Sequence, residues 1–213
     1  DFVLGSSNTL DLGNPNLIPM TSTNFDFSAS WYHSEDLFVE AAFFYKDIKN
    51  FIVDVTGASL RLDELPITLP VGQVSEFIIA EDTKLTDINY TLNGDTATVY
   101  GVELSYNQFF DSGFFLQSNM TLQQSEAELD PSVRVGTIAL PDQADMMANL
   151  TVGWENDDLS LRLIGNYRSE ILEEIGSCGD RPDQECKDWS DRYQDAIATL
   201  DFKAKYKITC GQS

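Results

Sequence analysis

Few residues in this chain have the types and spacing that chemistry needs. His33 is its one histidine and falls in a short polar stretch, His33–Asp36. A general base or a metal ligand needs partners beside it, so the plainer reading is an exposed turn residue. The carboxylate pairs Asp157-Asp158 and Glu173-Glu174 have the composition of an acid–base couple, yet in turn-like sequence they read first as solvated charges. No Ser-His-Asp set, glycine-rich phosphate loop or HExxH stretch occurs, so no enzyme activity, cofactor or metal is expected. Cys178 and Cys186 have seven residues between them, with Gly179 and Pro182 favouring a reversal there. They are candidates for a disulfide, with two free thiols as the alternative. Zinc is disfavoured because the spacing is not C-x-x-C and no histidine lies near. Asp188, Trp189 and Tyr193 combine aromatic stacking with hydrogen bonding, which suits sugars or aromatic chelators and marks them as candidate ligand contacts.

The elements that must position these groups are strands. In Asn24–Asp54, Phe25, Phe27, Ala29 and Trp31 fall on one face of a first strand. After a polar turn, Leu37, Val39, Ala41, Phe43 and Tyr45 share a face of a second, which is read as running on to Val55. Alternation at period two marks a strand with one apolar and one wet face. Phe38 and Phe44 break the pattern by joining Glu40 and Lys46 on the wet side. The alternation returns at Thr96–Asn107, Phe114–Glu128, Gln143–Trp154, Leu159–Ser169 and Ala196–Ile208, making about seven strands. At roughly ten or more residues they exceed the five or six usual in globular sheets.

Connections alternate between short turns (33–36, 111–113, 155–158) and long stretches (56–95, 129–142, 170–194). The first 23 residues and Thr56–Asp95 read as loop, with one small strand expected at Phe77-Ile78-Ile79. Short turns at one end and long loops at the other is the arrangement of an outer-membrane barrel. Aromatics near strand ends, including Trp31, Tyr45, Phe114, Trp154 and Tyr206, fit girdles at two membrane interfaces. The apolar faces then meet lipid and the polar faces line a lumen. By that parity Arg162, Arg168, Lys203, Lys205 and Lys207 project inward, to pair within the wall, to meet acidic groups of a plug, or to attract an anion. The loop carrying Cys178 and Cys186 becomes external, where an oxidising milieu favours the disulfide.

Composition narrows the partners. With 13 Lys+Arg against 35 Asp+Glu, the formal net charge is -22. Such a surface repels phosphate backbones, so nucleic acid is not an expected partner. The excess is also a common solubility device or an adaptation to salt. No apolar stretch approaches the roughly 18 residues of a transmembrane helix, which says nothing against strands. Asn89, Asn119 and Asn149 each begin an N-x-T sequon; the latter two fall mid-strand on the inward face and are taken as chance matches.

Several stretches resemble the TonB-dependent outer-membrane receptors of Gram-negative bacteria. Gly13-Asn14-Pro15-Asn16-Leu17-Ile18-Pro19, followed by Thr21-Ser22-Thr23-Asn24, is similar to that family's GNPxLxPExSxN stretch, with Met20 where Glu is usual. Ala41–Ile52 resembles its Y-K-x-I-x-x-F-I strand, and Gly101-Val102-Glu103-Leu104 its GxE strand. Leu140–Ala144 resembles the approach to a later strand, completed by Asn149. The resemblance implies an all-β, antiparallel transmembrane barrel of 22 strands around an N-terminal plug, importing ferric siderophores, cobalamin or oligosaccharides with energy coupled through TonB. Residues 1–213 are then expected to be a fragment of the later barrel domain, with no plug domain present. Expected partners are outer-membrane lipid, a nutrient ligand and, through the missing plug, TonB. Acidic loops disfavour an anionic ferric chelate and tilt the ligand toward a neutral oligosaccharide. The alternatives are a passive porin-like channel and a soluble all-β binding or adhesion module.

Overall fold

The computed structural model describes residues 3–4, 10–58, 61, 88–131, 133–176 and 191–208. Its strands, in chain order, are β1 (Val3–Leu4), β2 (Leu10–Leu12), β3 (Thr21–Ser34), β4 (Leu37–Lys49), β5 (Ile52–Ala58), β6 (Ile88–Asn93) and β7 (Thr96–Phe109). They continue with β8 (Phe114–Glu128), β9 (Thr137–Ile138), β10 (Met146–Glu155), β11 (Leu159–Arg168), β12 (Ile171–Gly176), β13 (Arg192–Gln194) and β14 (Ile197–Tyr206). There is no helix among the described residues.

Seven of these strands form one antiparallel meander, β3-β4-β7-β8-β10-β11-β14, hereafter the wall. Its pairing carries the apolar parity unbroken from strand to strand. Phe27 faces Phe43, Phe43 faces Val102, Val102 faces Leu122, and Leu122 faces Met146. Another row runs Leu116, Val152, Leu163, Phe202. Slipping one strand by one residue would invert its faces, so this pattern pins the register. The row residues are solvent-exposed in the isolated chain: Phe27 63%, Leu163 44%, Phe202 67%. Strands β10, β11 and β14 each have 10 residues, within the about 9–11 that a tilted strand needs to cross a bilayer.

The short turns are locally determined. Ser34 Oγ accepts the Asp36 N–H, and Asn156 Oδ1 accepts the N–H groups of Asp158 and Leu159. Gly113 has φ +85, and a Cβ there would lie 2.4 Å from the Glu155 carbonyl oxygen, so glycine is required on both counts. Beside it the Trp154 indole N–H donates to the Ser112 carbonyl, tying two neighbouring turns together.

The long connections depart from expectation. Strand β6 and the last residues of β5 lie inside the stretch read as irregular, and β2, β9, β12 and β13 inside the other loops. With β1, all of these but β9, which pairs with β8 of the wall, assemble a second sheet, β1-β2-β6-β5-β12-β13, hereafter the cap. It is mixed, with β2 parallel to β6 and β12 parallel to β5, unlike the wall. Strand β4 does not run on to Val55. Asn50 takes φ 56, a left-handed conformation that asparagine tolerates, and the chain re-enters as β5 in the other sheet. Phe51 then covers Gly94, where a Cβ would meet its ring at 2.1 Å. Period-two patterning cannot see such a change of partner. The strand expected at Phe77–Ile79 lies outside the described residues.

The buried core belongs to the cap and to the wall ends beneath it. Val55, Ala58 and Ile88 are wholly buried, with Phe51, Leu172, Ile175, Leu129 and Val133 around them. Phe44, Ile48, Ala97, Val99 and Ala127 bring the adjoining wall into the same cluster. This explains Phe44, which points inward but lies against Gly101, filling the space that a side chain there would occupy. Phe38, also inward, stacks at a tilt on Tyr32 with ring centroids 4.9 Å apart.

Candidate functional site: the inner wall and its cap

Opposite the apolar rows, the second face of the wall is polar along its whole width. One row runs Ser30, Glu40, Ser105, Asn119, Asn149, Asn166, Thr199 across all seven strands. Neighbours in it bond to each other. The Ser30 hydroxyl donates to Glu40, Asn149 Nδ2 donates to Asn119 Oδ1 at 2.6 Å, and Asn166 Nδ2 donates to Thr199 Oγ1 at 3.1 Å. Asn119 and Asn149 are therefore wall residues bonded to each other, which fits reading their sequons as chance.

Nearer the cap, the same face holds a depression of about 250 Å³ to which Asp26, Ser28, Lys46, Glu103, Thr121 and Gln123 contribute polar groups. Lys46 Nζ sits 5.6 Å from the centre of the Phe44 ring at its base. Gln123 is held by Nε2 donating to the Ala144 carbonyl at 2.7 Å. Two carboxylates, one ammonium, two hydroxyls and one amide in one hollow can hold a hydroxyl-rich or zwitterionic group. Nothing in the set resembles an activated nucleophile or a poised acid–base pair.

The inward cations are engaged to different degrees. Arg162 lies over the Phe115 ring, 5.3 Å from its centre, and meets Glu155 at 3.4 Å in an exposed ion pair. Arg168 donates from Nη2 to Gln194 Oε1 at 2.8 Å. Lys203 stands opposite Arg162, and Lys205 opposite Ser160, on the exposed strand β14. The structure thus separates these residues into a pair near the turn end, an arginine near the loop end and lysines along the outer strand.

Of the candidate ligand contacts, Tyr193 lies on β13 opposite Leu172 and is exposed. Asp188 and Trp189 lie outside the described residues, as do Cys178 and Cys186. His33 is exposed beside Trp31, ring centroids 5.2 Å apart, at the irregular end of β3. Among the described residues no group of three or more His, Cys, Asp or Glu side chains is arranged to hold a metal.

Sequence reading missed the cap's polar contacts. Asn93 Oδ1 accepts the Ile18 N–H, while its Nδ2 donates to the carbonyls of Ile18 and Asn50, each at 2.9 Å. One side chain thereby fastens the N-terminal segment to the point where wall becomes cap. Asn89 donates to Asp11, and Thr91 to Asp54, on the outer cap face. Most unexpected is Arg134, 4% exposed, whose Nη1 and Nη2 donate to the two oxygens of Asp191 at 2.7 and 2.9 Å. Asp191 also accepts the Gly176 N–H at 3.0 Å. No local pattern announces such a pair, because its partners are 57 residues apart.

Residues 3–212 match the family described as TonB dependent receptor-like, beta-barrel. The chain belongs to the TonB-dependent receptor family. Its wall is a segment of an outer-membrane β-barrel, with the apolar rows toward lipid, the short turns periplasmic and the capped end extracellular. Solved structures agree on the fold. The chain is similar to the copper transporter OprC, at TM-score 0.58 and 14% identity over 92% of this chain and 24% of that one. It is similar to a variant of the ferric enterobactin receptor of Pseudomonas aeruginosa, at TM-score 0.58 and 17% identity over 94% and 25%. The ferric yersiniabactin uptake receptor FyuA of Yersinia pestis follows at TM-score 0.53 and 20% identity, over 89% and 23%. The chain thus spans about a quarter of the length of these structures. No curated protein matches the sequence significantly.

Proposed function

We propose that this chain forms part of the later barrel wall of a receptor that imports a scarce nutrient by TonB-coupled transport. The observation that carries the reading is the family match over 3–212, which joins a lipid-facing wall to a polar inner face. The competing reading is a passive channel. Uptake by the complete receptor in cells separates them: coupled import should collapse when the proton gradient is dissipated, and import that persists overturns the proposal.

For the ligand, we favour a neutral oligosaccharide. A formal charge of -22 makes approach of an anionic ferric chelate unfavourable, while the row of amides and hydroxyls suits sugar hydroxyl groups. Asp188, Trp189 and Tyr193 are the proposed external contacts. Solved neighbours described as receptors for ferric enterobactin and ferric yersiniabactin favour a ferric chelate as the second reading. Calorimetry of the complete receptor against maltooligosaccharides and a ferric catecholate decides between them, and tighter binding of the catecholate removes the sugar reading. Cys178 and Cys186 are proposed to be paired. Intact mass without reductant should then be lower by the two thiol hydrogens, and full alkylation without reductant would falsify the pairing.

A further inference from the structure

The long loops of a barrel are separate excursions in sequence, each able in principle to move by itself. Here they are not separate. Backbone pairing joins the first to the third, with Val55 beside Ile175 and Thr56 beside Gly176. It also joins the segment before the wall to the first loop, through Leu10 and Ile88. The second loop, between β8 and β10, enters through side chains. Leu129 and Val133 lie in the same buried cluster as Val55, Ile88 and Ile175, and Arg134 closes on Asp191 of the third.

We propose that the described segments of the three extracellular loops form one cooperative cap, which opens as a unit, with the Arg134–Asp191 pair as its central tie. The physical reason is that no loop can leave alone without exposing a shared interior. Withdrawing β12 strips the β5 edge and uncovers Val55; withdrawing the β8–β10 loop leaves Asp191 buried without its cation. An unpaired charge in a site exposed by only 1% to 4% is strongly disfavoured. Cooperative units of this kind are known as contiguous sets of backbone amides sharing one opening free energy. A ligand touching any one loop would therefore bias all three. The inference does not depend on which nutrient is carried or on how uptake is energised.

Hydrogen exchange on the complete receptor in lipid nanodiscs tests it. In the unmodified protein, amides of β5, β6 and β12 should converge on one opening free energy as denaturant rises. Separate values for β5–β6 and β12 overturn the proposal. Asp191→Asn should then raise exchange at least about tenfold in all three strands together while leaving β3, which brings no residue to the shared cluster, unchanged. Faster exchange confined to β12 and β13 also overturns it. Should Asp191→Asn fail to assemble, the double replacement Arg134→Met with Asp191→Leu removes both charges. It is expected to restore a single shared opening, whereas independent opening of the loops in that variant counts against the proposal.

Discussion

The wall and the cap are built from the same period-two alternation and put it to opposite use. In the wall, Phe27, Leu163 and Phe202 lie on an open face, and the strands hold no core between them along most of their length. In the cap, Val55, Ile88 and Ile175 are buried against protein. The difference lies in the solvent. A bilayer accepts an apolar face as it stands, provided that backbone groups are paired. Loops standing beyond the bilayer meet water, so their apolar residues must find one another. The wall's side chains are consequently specified by polarity and register, the cap's by shape.

That contrast can be broken by substitution. The largest effect is expected from Ile88→Ala, which leaves a cavity in a wholly buried site and should cost about 2–5 kcal/mol of cap stability, read by hydrogen exchange of β5 and β6. Next comes Leu150→Arg, placing charge in mid-wall on the lipid face at about 2–4 kcal/mol, measured by denaturant unfolding in vesicles. Its neighbour Thr151, on the opposite face, should accept arginine at under about 1 kcal/mol; equal costs at the two positions would invert the assignment of faces. Gly153→Val should cost about 1–3 kcal/mol, because the new side chain displaces the Phe115 ring 2.1 Å from the Cβ position and, with it, the Arg162 contact.

The smallest effect is a titration. Burial pushes the Tyr90 hydroxyl in the cap up from 10.0 to about 12. The folded state thus holds its proton where the unfolded chain has lost it. Cap stability from this group is full below pH about 10 and declines as pH rises through about 12. Tyr90→Phe should flatten that decline in exchange measurements, leaving the wall's response to pH as before.

Much of the wall was legible from residue order. Phe25 to Trp31, Tyr100 to Tyr106 and Ala198 to Tyr206 alternate cleanly, and the turns read at 33–36 and 155–158 contain the observed connections 35–36 and 156–158. The basic residues on β11 and β14 were placed on the correct face by the same count, but their partners were not legible, since Phe115 and Gln194 come from other strands. The candidate ligand contacts were readable only as composition. Tyr193 is exposed on β13.

Sequence alone determined that the chain is a long-stranded antiparallel wall with one lipid face and one wet face, because a period of two and a turn need only neighbouring residues. It also determined, through short stretches in order, the family. Tertiary structure decided where the pattern stops meaning lipid. The left-handed turn at Asn50 sends β5 out of the wall, Phe44 and Phe115 fold over Gly101 and Gly153, and Arg134 finds Asp191 across 57 residues. Each of these joins partners remote in sequence, and alternation, being local, carries no information about which remote residue a side chain will meet.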